Sequence, residues 1–364
     1  MKINQLTFTR FLAAVSIVIF HAKSGMFPFN LTFLHTLFNN AYVGVSYFFV
    51  LSGFVMVIAY GQNKSIKINS KSYYLNRVAR IYPVYIIALI LTVMTQIKNG
   101  EIHFMDLSLQ TFALQAWFPA SVAKLNRPGW SISAEALFYV LFPLIFNYFY
   151  TKRSFIFIFI FVICFWIISQ IIANYLLLSP HYKAYPLFSN LFYFPLLHLN
   201  EFLVGNIIGY AYLKLNKQSR NFDILIILVV IIMIILLAFK AIANYSDGLL
   251  AIIFAPLILL MSLNNGSISK LFSNKKLVIL GEASYSLYIL QTPIKSCCYF
   301  ILKKLHFTNE NWVFYIYLGV LIGVSIFCYY FIEIPAKEWI KSFKINIKNK
   351  VQLKHANVDD NINF

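Results

Sequence analysis

In the stretch TRFLAAVSIVIFHAKSG, residues 9–25, Arg10 and His21 bracket ten residues of which only Ser16 is polar. An arginine is a permanent cation with a fork of donors for phosphate or carboxylate, and a neutral imidazole is a general base near physiological pH. Read as an α-helix, the spacing of eleven residues brings both side chains to within about 20° of one face and about 16 Å apart along the axis. Such a stripe describes a path along one helix, with an anion at one end and proton transfer toward the other. The same two residues also fit a helix whose arginine snorkels to lipid phosphate while its histidine caps the outer end.

Further ionisable residues stand inside apolar runs, where a charge near the bilayer centre costs at least about 2.5 kcal/mol and marks a functional candidate. In GWSISAEALFYVLFPL, 129–144, Glu135 follows Ser131 by four residues and shares its helix face. In LLHLNEFLVGNIIGY, 196–210, Glu201 precedes Gly205 and Gly209, whose spacing is read as close helix packing. If His21, Glu135 and Glu201 lie at similar depth, a carboxylate can orient the imidazole and raise its basicity. The alternative is that each carboxylate pairs with an arginine or tyrosine and serves packing. In YYLNRVARIYPVY, 73–85, Arg77 and Arg80 stand three residues apart where an apolar run begins. Two guanidinium groups near a helix N-terminus clamp phosphate, and alone they are also ordinary topogenic charges. Together with Arg10 they outline an anion site on the cytoplasmic side.

The elements that hold these residues are membrane helices. Of 364 residues, 60% are hydrophobic and 12% charged, against roughly 25% charged in ordinary soluble domains, and mean hydropathy is +0.73. Ten apolar spans are expected, at 6–22, 41–60, 81–97, 129–150, 154–174, 191–213, 222–239, 248–263, 277–294 and 312–334. With both termini in the cytoplasm, 21 of the 30 lysines and arginines fall on that side. The net charge of +18 therefore follows the positive-inside rule and calls for no nucleic-acid partner; the basic tail can also rest on anionic lipid. The first span carries Arg10, His21 and Lys23 and lacks a small-residue cleavage site, so it is expected to stay in the mature chain. Cys164, Cys297, Cys298 and Cys328 sit in apolar segments without metal-site or disulfide spacing and are read as small core residues. The aromatic outer segments 98–128 and 175–198 are expected to lie at the interface and roof a site.

Taken in order, several pieces carry a resemblance: Arg10 with His21 eleven residues on, YVGVSYFFVLSGFVM at 42–56, Arg77-Val-Ala-Arg80 with IYPVY, WSISAEALFYVLFP at 130–143, EFLVGNIIG at 201–209 and ASYSLYILQTPI at 283–294. The chain resembles the membrane acyltransferase-3 family, the integral-membrane O-acyltransferases of bacterial surface sugars, over about residues 6–336. The resemblance implies an acyl-CoA donor, usually acetyl-CoA, supplied from the cytoplasm, and a glycan hydroxyl as acceptor at the outer side of the inner membrane. It implies that His21 is catalytic with Arg10, that Arg77 and Arg80 engage the donor, and that Glu135 is the acidic residue of the tryptophan-serine motif. Trp130, Ser131, Glu201 and Gln291 are then expected on the substrate side. Two positions depart from the pattern: many relatives have histidine at Gln291, and many have arginine near His198.

The expected architecture is all-α, a polytopic membrane protein whose transmembrane domain spans 1–336 and whose basic cytoplasmic tail spans 337–364, without the fused hydrolase-like domain of some relatives. The expected function is transfer of an acyl group, most simply acetyl, to an O-antigen, capsule or exopolysaccharide sugar or its lipid-linked precursor, with no metal. Direct transfer and a covalent acyl-histidine relay both fit. A transporter or flippase for lipid-linked sugars competes, but such proteins often carry internal repeats, and none is visible here. A non-catalytic scaffold gives no reason for the buried histidine and carboxylates.

Overall fold

A backbone surrounded by lipid finds hydrogen-bond partners only within itself, so the long apolar runs close into helices. The computed structural model describes residues 3–22, 25–62, 67–96, 102–178, 190–215, 220–239, 248–340 and 342. Among them the helices are α1 (Asn4–Ala22), α2 (Thr32–Asn39), α3 (Gly44–Tyr60), α4 (Ser70–Gln96), α5 (Phe104–Thr111), α6 (Trp130–Ile145), α7 (Phe155–Leu178) and α8 (Leu199–Leu215). They continue with α9 (Asp223–Phe239), α10 (Ala251–Leu263), α11 (Ser267–Phe272), α12 (Lys275–Glu282), α13 (Ser284–Lys304) and α14 (Glu310–Cys328). No β-strand forms among the described residues, where Arg220 and Asn264 make an isolated bridge.

Every expected span contains a helix, but the boundaries move. Among the described residues, six helical runs are long and apolar enough to cross a membrane: Asn4–Ala22, Thr32–Tyr60, Ser70–Gln96, Arg127–Tyr150, Phe155–Leu176 and Glu310–Ile340. α9 and α10 are shorter apolar helices. α8 begins at Leu199 rather than 191, because Pro195 falls in a 3₁₀ turn that precedes it. The ninth expected span is interrupted at Ala283, between α12 and α13, and α13 then runs to Lys304. The last helix passes through a π-turn at Tyr329–Glu333 and continues to Ile340, past the expected boundary at 336. Tail residues 343–364, and 179–189 of the second outer segment, lie outside the described residues.

α7 shows what solvent these helices face. Its most apolar window has a mean hydropathy of 2.9 and is only 11% buried in protein, and an apolar helix so exposed matches hydrocarbon rather than water. Cys164 lies on its exposed face, so it is not a core residue, whereas Cys298 and Cys328 are buried.

Two apolar clusters form the interior. One gathers around α3, α6, α8 and α10, the other around α1, α4, α13 and α14. α1 contributes to both, Ile17 to the first and Ala14 and Val18 to the second, so the helix that carries Arg10 and His21 is the partition between them. The expected packing role of the α8 glycines is realised: α8 lies against α3 so closely that a Cβ on Gly205 would stand 2.0 Å from the Val50 carbonyl oxygen, and one on Gly53 would stand 2.0 Å from that of Phe202.

The outer segments meet each other. Arg127 donates to the Tyr193 hydroxyl at 2.9 Å, Asn190 Nδ2 donates to the Pro119 carbonyl at 2.6 Å, and the rings of Trp117 and Phe194 stand 5.3 Å apart. The first segment is also pinned to the bundle, because Pro293 has no N–H to offer the Ile289 carbonyl one turn back, and Asn126 Nδ2 donates there at 3.0 Å.

Candidate functional site

A cavity of about 430 Å³ opens between α1, α3 and α4, and Arg10, Arg77, Arg80, Glu282 and Lys337 line it. Arg10, Leu51, Val55, Arg77 and Arg80 also line a smaller chamber of about 90 Å³, which adds Glu135, Tyr139 and Tyr285. The two spaces therefore share a wall, a cationic vestibule beside a chamber with one carboxylate and two phenols. The three arginines meet because Arg10 projects from α1 while Arg77 and Arg80, three residues apart, present one face of α4. They do not sit at a helix start, as the sequence implied. α4 begins at Ser70, so Arg77 is about 10 Å along it, and the helix N-terminus adds nothing to the vestibule.

Aromatic rings hold Arg77 in place. Its guanidinium carbon is 5.6 Å from the centroid of Tyr73 and 5.7 Å from that of Tyr139, and its Nε is buried without a hydrogen-bond partner. The Tyr139 hydroxyl donates to Glu135 Oε2 at 2.8 Å, one helical turn apart on α6. Glu135 thus has a tyrosine as partner, and its side chain faces the arginine chamber rather than His21.

His21 lies at the other end of α1 and lines neither space. Its Nδ1 is 2.8 Å from Gln291 Oε1 on α13, while Gln291 Nε2 donates to the Tyr288 carbonyl at 2.7 Å. A carbonyl oxygen only accepts, so the amide nitrogen must face Tyr288 and the amide oxygen must face His21. In the neutral ring Nδ1 then carries the proton, and Nε2 keeps the lone pair that acts as a base. Lys295 Nζ donates to the His21 carbonyl at 3.2 Å and caps α1. Phe48, which lines the chamber, and Tyr288, whose carbonyl accepts from Gln291, have ring centroids 6.1 Å apart. The Tyr288 hydroxyl donates to the Pro128 carbonyl at 3.0 Å, which ties the histidine end to the outer segment.

Glu201 belongs to neither group. Its Oε2 is 3.0 Å from His198 Nδ1, and His198 Nε2 is 2.7 Å from the Phe192 carbonyl. Both ring nitrogens are engaged, so His198 positions Glu201 and does not serve as a base. Trp130, Phe49 and Phe192 pack their rings around this histidine, and Ser131 donates to the Pro128 carbonyl at 3.2 Å. The sequence thus grouped Arg10 with Arg77 and Arg80, as the structure does, but it also paired Arg10 with His21 and grouped Glu135 and Glu201 with the histidine, and none of these three lies beside it. It also missed Tyr139, legible as the residue one turn from Glu135, and Lys337, which reads as part of a basic tail.

Comparison with known proteins agrees with the helical frame. The family model described as an acyltransferase domain matches residues 3–330. The acyltransferase MdmB of Streptomyces mycarofaciens is 30% identical over 110 residues, 28% of this chain and 27% of the relative, so the match spans about a quarter of that protein's length. No solved structure matches the chain. A family match that runs from the start of α1 nearly to the end of the last helix covers both the arginine cluster and His21, and the chain belongs to the acyltransferase-3 family.

Proposed function

We propose that this membrane acyltransferase moves an acyl group, most simply acetyl, from acyl-CoA on the cytoplasmic side to a hydroxyl of a cell-surface glycan or its lipid-linked precursor on the opposite side. The observation that carries the reading is the placement of three arginines around one vestibule at one end of α1, with a tautomer-fixed histidine near the other end. A polyphosphorylated donor fits the vestibule because guanidinium forks bind phosphate oxygens in pairs, and the buried Arg77 Nε is a donor in want of an acceptor. The arginine end faces the cytoplasm in the ten-crossing topology that the charge distribution supports.

His21 Nε2 takes the proton from the acceptor hydroxyl as its oxygen attacks the thioester carbonyl carbon. The carbon–sulfur bond then breaks, and the CoA thiolate leaves and takes up a proton. Gln291 holds the ring so that the lone pair is on Nε2, and stays neutral throughout. On this reading the thioester passes the Phe48–Tyr288 pair on its way to His21.

Membrane vesicles of defined orientation test this. Labelled acetyl-CoA added outside inside-out vesicles is expected to label glycan in the lumen, while right-side-out vesicles transfer nothing until the donor is loaded inside. Label on the donor's own side overturns the through-membrane reading, and no labelled glycan in either preparation overturns the assignment of donor and acceptor.

A further inference from the structure

The last helix carries a feature that the reaction above does not use. α14 widens into a π-turn at Tyr329–Glu333 before helix resumes to Ile340. A π-turn contains one extra residue, which rotates everything after it by about 100° relative to an uninterrupted α-helix, and such turns occur frequently at functional sites. Here the rotation buries Glu333, only 3% exposed, and aims Lys337, one turn later on the same face, into the vestibule.

Glu333 is fixed from two sides. Ser286 Oγ on α13 donates to its Oε1 at 2.7 Å, and Lys337 Nζ donates to its Oε2 at 3.4 Å. The Lys337 ammonium also lies 5.8 Å from the Tyr329 ring centroid. A lysine side chain normally spreads over many rotamers; here the carboxylate and the ring hold its head group in one place. An ammonium has three donors, of which Glu333 takes one, at a length that leaves the charge only partly neutralised. The vestibule thus brings together Arg10, Arg77, Arg80 and Lys337 against Glu282, with Glu333 behind the lysine. Like charges gathered in one partly desolvated space repel, and a polyanion relieves that repulsion.

We infer that Lys337, aimed by the π-turn and held by Glu333, is a fourth cationic contact for the phosphate groups of the acyl donor, supplied by a segment beyond residue 330 where the family match ends. The inference rests on the donor reading above and adds a residue to it. The same chemistry suits the phosphate of an anionic lipid headgroup, so the test has to separate the two sources.

Equilibrium binding of CoA to the purified full chain, in zwitterionic detergent without anionic lipid, provides the test. Lys337→Met is expected to weaken binding about tenfold and to flatten the dependence of log Kd on log salt, while Lys337→Arg stays within about threefold of the parent. Glu333→Gln is expected to weaken binding less than Lys337→Met, because it loosens the lysine without removing it. A monodisperse elution profile and an unchanged melting temperature for Lys337→Met guard against misfolding as the cause. Unchanged CoA binding by Lys337→Met, while Arg77→Ala loses it, overturns this inference alone; absence of CoA binding by the parent chain overturns the donor reading and this with it. If added phosphatidylglycerol displaces CoA from the parent and binds Lys337→Met less well, the lysine serves lipid headgroups and the donor role is overturned.

Discussion

His21 Nδ1 and Gln291 Oε1 stand 2.8 Å apart across 270 residues of chain, and the orientation of the amide is settled by a third group, the Tyr288 carbonyl. That arrangement decides which nitrogen of the imidazole can act as the base. Gln291→Met keeps the length of the side chain but removes the acceptor, so both tautomers populate and the ring loosens. Its kcat is expected to fall on the order of a hundredfold with little change in donor KM. Gln291→Glu retains an acceptor facing Nδ1 and should keep more activity than Gln291→Met. Equal activity of the methionine variant and the parent would show that Gln291 only packs.

The arginines of the vestibule give a different kinetic signature. Lysine at Arg77 or Arg80 keeps the charge but loses the fork and, at Arg77, the stacking against Tyr73 and Tyr139. Initial rates over a range of acyl-CoA concentrations are expected to show a raised donor KM with a smaller change in kcat. A fall in kcat at unchanged KM would place these arginines in the chemical step instead.

At His198 the expected effect is on stability. His198→Leu leaves the Glu201 carboxylate buried without its partner, a loss of about 3–5 kcal/mol when one member of a buried pair is removed. His198→Arg has donors enough for both Glu201 and the Phe192 carbonyl and should remain close to the parent. Thermal unfolding of the three purified proteins distinguishes them. Identical melting temperatures would mean that Glu201 needs no partner.

The Phe48 ring, at the chamber wall, stands 6.1 Å from that of Tyr288, whose carbonyl accepts from the glutamine that holds His21, and the donor path proposed above runs past this pair. Phe48→Ala removes one ring of that pair. In the absence of acceptor, the variant is expected to hydrolyse acyl-CoA faster than the parent, because donor and water then meet near His21 with one ring fewer along the path. Thiol release followed with a chromogenic reagent reports it, and an unchanged rate would show that the donor reaches the histidine by another way.

The legible parts of this molecule were those written in local periodicity. Arg10 and His21 lie on a single uninterrupted helix, and Arg77 and Arg80 on another, so their faces follow from 100° per residue. The glycines of α8 were read correctly for a related reason, since small residues four apart describe one stripe. Contacts between helices distant in sequence were not legible. Nothing near His21 marks Gln291 as its neighbour, and Glu135 was assigned to the histidine because depth along a helix says nothing about which way a side chain faces. Lys337 was hidden because it falls one residue past the boundary at 336 and reads as the start of a basic tail, whereas the helix runs on through the π-turn to Ile340.

The α3–α8 contact bears on how the vestibule can open. Where Gly53 and Gly205 let two backbones touch, no side chain remains between them to yield, and sliding either helix would drive carbonyl groups into Cα atoms. Leu51 and Val55, which α3 contributes to both cavities, are therefore borne on a wall that cannot slide along its neighbour. The opposite wall is made by α1, α4 and the resumed end of the last helix, and it is there that all four cations are mounted. An anion in the vestibule therefore meets charge from one wall only and apolar side chains, Leu51 and Val55 among them, from the other.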